Sequence, residues 1–334
     1  MINKSDSSYM EYALNLANSK LGLVSPNPSV GCVIVKNDII VGIGITANGG
    51  RPHAETQAIA MAGKNAIGAT AYVTLEPCAH ETTTPSCAKE LVKASISRCV
   101  IAVKDIDSRT CGKGIKILEQ AGIKVETGLL EKKAKSLNSG FFSVLEKKRP
   151  LFTAKIATSL DGKIALSNGM SKWITSDLSR KYGHYLRATH DCILIGENTL
   201  RLDNPTLDCR INGMENQSPA RIVLGNNIPK DSKILNDGGI THIISGELEK
   251  VSDKIIELGY NSCLIEGGSN VITKFISAGL VDRLAIFSSP NIIGGDGLSC
   301  IKDLGIIDIN NIMKYKMLSS REIGSDMFRL FEKE

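Results

Sequence analysis

The chain has 334 residues, with 40 Lys+Arg against 35 Asp+Glu, a net charge of +5, and only 4% aromatic residues. A weak, evenly spread charge and so few rings argue against a nucleic-acid groove, which needs a basic surface with stacking platforms. Polar residues from Asn3 to Asp6 are incompatible with a secretory leader. No run approaches a membrane span, and nine cysteines without a leader fit a reducing cytoplasm.

A chain of this length is expected to form two domains, each burying its own core. From the N-terminus, Met10, Ala13, Leu14, Ala17 and Leu21 recur at helical spacing. Ser25-Pro26-Asn27-Pro28 stops that helix in a turn. Two β-rich runs, 30–35 and 39–45, flank Lys36-Asn37-Asp38 and predict a hairpin. A helix over 53–62, a strand over 70–75, a helix over 88–94 and a strand over 99–103 follow. A helix over 114–121, a strand over 123–125 and a closing helix over 134–145 complete the first half. That order predicts an α/β sandwich.

The basic run Glu146-Lys147-Lys148-Arg149 followed by Pro150 reads as a solvated linker. It divides a first domain, 1–148, from a second, 149–334. In the second, strands are predicted over 152–156, 192–195, 221–224, 242–245, 263–265 and 283–288. Helices are predicted over 177–188, 251–258 and 271–278. Cys32, Cys99, Cys192 and Cys263 fall inside apolar runs and read as small buried hydrophobes.

The chemistry of the first half lies in His53-Ala54-Glu55, in Pro77-Cys78 twenty-two residues later, and in Cys87. One imidazole and two thiols hold a zinc ion with the fourth tetrahedral position open to water, as in a catalytic rather than a structural site. Glu55, two residues from the histidine ligand, is placed to move a proton between that water and a leaving amine. The H-x-E and P-C pairing is the signature of zinc-dependent nucleobase deaminases. Eight residues, Ala-His-Glu-Thr-Thr-Thr-Pro-Ser, separate the two cysteines where the commonest form has two. They read as a loop returning Cys87 to the metal at a helix start, where the positive end of the dipole favours a thiolate. A closed structural site with His80 as fourth ligand is the alternative. A carboxylate beside the histidine has no task in such a site, so His80 is read as a pocket residue.

With this motif and the second α/β pattern together, nearly the whole chain resembles the bifunctional pyrimidine deaminase/reductases of riboflavin biosynthesis. In the first half the resemblance rests on Tyr9-Met10, on Ser25 to Val35, on His53-Ala54-Glu55, and on Thr74-Leu75-Glu76-Pro77-Cys78 through Thr84-Pro85 to Cys87. In the second it rests on Ser159-Leu160-Asp161-Gly162-Lys163, Trp173-Ile174-Thr175-Ser176, Leu186-Arg187-Ala188, Asp203-Asn204-Pro205, Glu266-Gly267-Gly268 and Gly279-Leu280-Val281-Asp282. It implies a cytidine-deaminase-like α/β/α sandwich followed by a dihydrofolate-reductase-like α/β domain. It also implies two consecutive reactions on a phosphorylated pyrimidine: zinc-dependent loss of the amine at carbon 2, then NADPH-dependent reduction of ribosyl to ribityl.

The resemblance also assigns positions. Asn27 and His80 face the deaminase substrate, although on the residues alone an Asx turn explains Asn27 equally well. Ala157, Trp173, Thr199, Asp203 and Gly268 line the cofactor. Ser171, Arg187, Leu207, Arg210 and Glu266 face the reductase substrate. Gly267-Gly268 follows an apolar strand and opens a helix, so backbone N–H groups there can approach a phosphate; a plain tight turn is the alternative. Arg187 and Arg210 suit a sugar phosphate, because a guanidinium binds one bidentately. Partners are expected to be this small molecule and further copies of the chain in a homo-oligomer, not nucleic acid or membrane.

The chain departs from the family in two stretches. The family usually has a glycine, a basic residue and a proline where Thr82, Thr83 and Ser86 stand. It usually reads Asp-Pro-Asn-Pro where this chain has Asp105-Ile106-Asp107-Ser108. A lost cation and a gained carboxylate both disfavour a phosphate in the deaminase pocket, unless Arg109 or Lys113 compensates. Gly225 also stands where an aspartate is common. The alternative function is therefore an active reductase with an impaired or retuned deaminase acting on a related aminopyrimidine.

Overall fold

A computed structural model describes residues 4–80 and 85–334. Its backbone divides into two compact units, Met1–Lys148 and Arg149–Glu334.

In the first unit α1 (Lys4–Asn18) leads into β1 (Gly31–Lys36) and β2 (Ile39–Ile45). Then come α2 (Ala54–Ala62), β3 (Thr70–Val73), α3 (Cys87–Lys93), β4 (Arg98–Ile101), α4 (Lys113–Gln120) and β5 (Lys124–Thr127). Two helices, α5 (Glu131–Leu137) and α6 (Ser139–Lys147), close the unit. The sheet order is β2-β1-β3-β4-β5. Strand β1 pairs antiparallel with β2 and β3, and β3, β4 and β5 run parallel.

The hairpin forms where the sequence places it. Asn37 and Asp38 both adopt positive φ (51° and 62°) between paired Lys36 and Ile39, the geometry of the tight turn that matches strand twist. Met10, Ala13, Leu14 and Ala17 are buried on α1. That helix ends at Asn18, before Leu21. Gly44 on β2 lets α2 lie directly on the sheet: a Cβ there would meet the Ala54 carbonyl oxygen at 1.9 Å. This contact fixes the start of α2, where two of the proposed functional residues sit.

The predicted helix over 134–145 is two helices. Asn138 breaks it with φ −98° and ψ 24°. Its side chain turns inward, accepting the Ser29 N–H at 2.8 Å and donating to the Ser29 carbonyl at 2.9 Å. A side chain able to satisfy both backbone groups of a buried loop residue outweighs an unbroken helix ladder.

The second unit runs β6 (Leu151–Thr158), β7 (Lys163–Ala165), α7 (Asp177–Ala188), β8 (Cys192–Gly196), α8 (Glu197–Asp203), β9 (Ala220–Leu224), α9 (Lys233–Asn236) and β10 (Thr241–Ile244). It continues with α10 (Leu248–Glu257), β11 (Ser262–Gly267), α11 (Ser269–Ser277), β12 (Val281–Ser288), β13 (Leu298–Ser299), β14 (Tyr315–Ile323) and β15 (Asp326–Lys333). Its main sheet is ordered β10-β9-β8-β11-β6-β12-β15-β14. The first six strands are parallel and the last two antiparallel.

The C-terminal hairpin β14–β15 is absent from the sequence-based prediction, although Gly324-Ser325 between Ile323 and Asp326 is a two-residue hairpin signal. One core forms around Phe152 and Phe275, whose rings meet edge-on at 5.0 Å. Another forms around Phe287 and Phe328. Among the described residues no helix is long and apolar enough to cross a membrane.

Candidate functional site

In the first unit three segments converge at one end of the sheet. His53 is the N-cap of α2, Cys78 lies in the segment after β3, and Cys87 is the first residue of α3. Ser86 caps α3 by accepting the Lys89 N–H. One ligand atom from each of His53, Cys78 and Cys87 lies within 4.8 Å of the other two. His53 Nδ1 is 3.1 Å from Cys87 Sγ and 3.7 Å from Cys78 Sγ. The Cys87 N–H points to Cys78 Sγ at 3.3 Å.

The electrostatics suit a cation. Hydrogen bonds from Cys87 and His53 lower the Cys78 thiol to about 4, so a thiolate is present at neutral pH. Its partner Cys87 is pushed up, since the two sulfurs share a proton and Cys87 is buried. Glu55, 3% exposed in the first turn of α2, is raised to about 7 by burial and by the Cys78 charge. Two soft sulfurs, one of them ionised, together with one imidazole form a donor set for zinc.

Glu76, just before the Pro77-Cys78 step, was not singled out by function. Its buried carboxylate accepts backbone N–H groups from Asp105, Gly112, Gly114 and Ile115 at 3.1–3.3 Å. A Cβ on Gly114 would lie 2.0 Å from the Pro77 carbonyl oxygen. The turn 105–113 is thereby clamped against the ligand segment. His80 Nδ1 lies 3.5 Å from Thr110 Oγ1 in that turn. Asn27 donates to the Gly49 carbonyl at 3.5 Å, near the segment leading to His53. Thr82 and Thr83 lie outside the described residues.

In the second unit the assigned positions fall in two groups. Gly268 is the N-cap of α11, and a Cβ on it would lie 3.2 Å from Thr199 Oγ1 on α8. Gly268 and Thr199 thus meet at the ends of the neighbouring strands β8 and β11, with bare backbone at the start of α11. Ala157 lies near the end of β6, two strands from β8.

The other group centres on Glu266 of β11. Its carboxylate takes Arg187 Nε at 2.7 Å and Nη2 at 2.9 Å, while Arg187 Nη1 donates to the Asp208 carbonyl at 3.0 Å. Burial alone would raise Glu266; the Arg187 and Lys155 charges overcome it and hold the carboxyl down to about 2. The guanidinium fork of Arg187 is thus filled by protein groups. Arg210 is bound to Asp208 and Thr206, with more than half its side chain exposed. Leu207, buried with φ 56°, lies on the same connection.

Lys155, absent from the sequence assignments, lies on β6 with Nζ 3.9 Å from Glu266. A lone lysine in the run 152–156 was its only signal. Trp173 is 69% exposed, with the Arg180 guanidinium 4.4 Å from its ring centre. Asp203 is the last residue of α8, four residues after Thr199, and Ser171 is exposed.

Comparison with known proteins places both units. The cytidine and deoxycytidylate deaminase zinc-binding region matches residues 3–103, and the RibD C-terminal domain matches 150–328. The riboflavin biosynthesis protein RibD of Aquifex aeolicus is 38% identical over the full length of both chains. That of Bacillus amyloliquefaciens is 37% identical, covering 96% of this chain and 94% of the relative. Among solved structures, RibD of Acinetobacter baumannii superposes with a TM-score of 0.90 at 33% identity, covering 99% of each chain. The Thermotoga maritima diaminohydroxyphosphoribosylaminopyrimidine deaminase/5-amino-6-(5-phosphoribosylamino)uracil reductase superposes with a TM-score of 0.90 at 31% identity, covering 98% of this chain and 99% of the other.

Proposed function

The chain belongs to the RibD family of riboflavin biosynthesis, and from that premise we propose how its own residues carry two successive reactions. It is a bifunctional enzyme: a zinc-dependent deaminase joined to an NADPH-dependent reductase. The first reaction removes the amine at carbon 2 of 2,5-diamino-6-ribosylamino-4(3H)-pyrimidinone 5′-phosphate. The second reduces the ribosyl group to ribityl. The cluster of His53, Cys78 and Cys87 beside buried Glu55 carries this reading.

His53, Cys78 and Cys87 would hold the zinc ion. Zinc supplies, when bound, a water whose pKa is drawn toward neutrality. Glu55 does the proton work. With its carboxyl near 7 it can both take and give a proton at physiological pH, and a neighbouring cation favours the carboxylate that must act first. It accepts one proton of the water at a carboxylate oxygen and delivers it to the ring nitrogen, then carries the water's second proton to the departing amine. Asn27 and His80 hold the pyrimidine ring.

NADPH supplies the hydride in the second unit. Gly268 and the N-terminus of α11, with Thr199, receive its phosphates. Trp173, Ala157 and Asp203 wall the cofactor, and Ser171 and Leu207 bound the substrate. Glu266 presents a carboxylate that Arg187 holds ionised, and Lys155 stands beside it as a proton donor to the sugar. Arg210 is the exposed cation of this group and takes the phosphate end of the substrate.

All nine cysteines are free, which suits work in the cytoplasm. The exposed edge strand β14 supports a homo-oligomer through strand addition.

The test is product analysis. The purified chain is incubated with the diaminopyrimidinone phosphate, with and without NADPH, and products are identified by mass. Without NADPH the uracil product and ammonia are expected; with it, the ribityl product. Unchanged starting material in both arms would remove the deaminase step, and failure to consume pre-deaminated substrate with NADPH would remove the reductase as well. Consumption only of pre-deaminated substrate would instead select the reductase-only alternative, which no feature of the metal corner favours.

A further inference from the structure

The deaminase substrate carries a phosphate, yet the eight residues between Cys78 and Cys87 contain no lysine or arginine. The pocket must find its cation elsewhere. The turn 105–113 is the element pinned to this corner, through the four N–H bonds to Glu76 and through Thr110 against His80. His80 is two residues from Cys78, at most roughly 7 Å along the chain, and Thr110 Oγ1 lies 3.5 Å from its ring nitrogen.

The turn carries two cations. Arg109 Nε lies 3.0 Å from both carboxylate oxygens of Asp107, and its Nη2 is 2.5 Å from Oδ2. Asp107 is itself fixed, its N–H donating to Asp105 Oδ1 at 2.9 Å while its Oδ1 accepts the Arg109 N–H at 2.9 Å. A guanidinium has five N–H donors and two usable edges. Asp107 occupies the Nε–Nη2 edge. The Nη1–Nη2 edge remains, and among the described residues Nη1 makes no hydrogen bond. The Arg109 side chain is 67% exposed. Lys113 Nζ donates to the Ser108 carbonyl at 2.8 Å, which brings a second positive charge to the same turn. Across the turn Asp105 and Asp107 offset Arg109 and Lys113, so an anion would be met by the free Arg109 edge and not by a net charge. Arg51 acts on the ligand His53 and is assigned to the metal end.

We infer that Arg109, aimed by Asp107 and assisted by Lys113, binds the 5′-phosphate of the deaminase substrate in this chain. The carboxylate at 107, which alone would repel a phosphate, instead orients the fork that binds it. This inference rests on the deaminase reading above and extends it to the pocket mouth.

The experiment measures ammonia release by the full-length zinc-loaded enzyme on the phosphorylated substrate and on its dephosphorylated riboside. Inorganic phosphate serves as competitor. Arg109→Ala is expected to raise KM about tenfold for the phosphorylated substrate only, the equivalent of one lost charge-assisted contact, with kcat little changed. Inhibition by inorganic phosphate should weaken in parallel, and NADPH oxidation on deaminated substrate should be unaltered. Asp107→Asn should show part of the same effect, because the fork loses its aim. An equal KM rise for both substrates, or none, would overturn the inference. So would recovery of the wild-type KM in the Asp107→Asn, Arg109→Ala double variant, since Arg109 would then merely neutralise Asp107. If the unmodified enzyme releases no ammonia from either substrate, the deaminase reading fails, and this inference with it.

Discussion

The metal corner of the first unit and the cofactor side of the second are built on opposite plans. The corner concentrates its chemistry in three short segments, each anchored at a helix start or strand end, with one buried carboxyl near neutrality. The cofactor side spreads its groups over β6, α7, α8 and β11, and its buried carboxyl is driven to full ionisation by a paired arginine. One site needs a group that can change protonation, and at Glu55 burial and the Cys78 charge outweigh the opposing pull of His53. The other needs a fixed charge and a bare backbone, so it pairs Glu266 and thins Gly268.

The comparison predicts different failures. Glu55→Gln should cost the largest factor. Loss of a single proton shuttle removes about 10²–10⁴ in rate. Ammonia release is expected to fall by that amount while NADPH oxidation on deaminated substrate stays intact. Turnover within a few-fold of the parent would remove Glu55 from the chemistry.

Arg187→Met should act on stability first. It leaves the Glu266 carboxyl buried with Lys155 at 3.9 Å as its remaining partner. Breaking a buried pair costs about 3–5 kcal/mol, or on the order of 10 °C in the melting of the second unit. The pH dependence follows from the sign. The carboxyl is held below its ordinary value of 4.5, at about 2. Its contribution is therefore complete above pH 4.5 and is lost as pH falls toward 2. Calorimetry should show this acid-dependent loss in the parent and a flatter profile in Arg187→Met. Identical profiles would mean that the pair carries no such stability.

Gly268→Ala should have the smallest effect. A methyl 3.2 Å from Thr199 Oγ1 narrows the space proposed for the cofactor phosphates. KM for NADPH should rise roughly tenfold, the equivalent of about 1.4 kcal/mol, with ammonia release unchanged. An unaltered KM would place the phosphates elsewhere.

How much could be read in advance follows the same division. His53, Glu55, Cys78 and Cys87 were legible because ligand chemistry restricts residue type and because motif order survives without coordinates. The parallel strands of both units were legible from continuous apolar runs. Asn138 was not, since its two bonds to Ser29 span 109 residues and leave no local mark. Nor was the Glu76 clamp, whose four donors lie some thirty to forty residues away. Lys155 carried no functional signal in the sequence; its role comes from Glu266 on the neighbouring strand, 3.9 Å from its Nζ. Arg187 was assigned to the substrate by the resemblance, with a sugar phosphate as a chemically suitable partner; its contacts with Glu266 and the Asp208 carbonyl left no local mark in the sequence.

Metal analysis of the purified, folded chain and of Cys87→Ser, scored against ammonia release, tests the account most directly. The expected result is one zinc per chain in the parent, its loss in the variant together with deamination, and reductase activity retained in both. Full deaminase turnover from protein free of bound metal would contradict it.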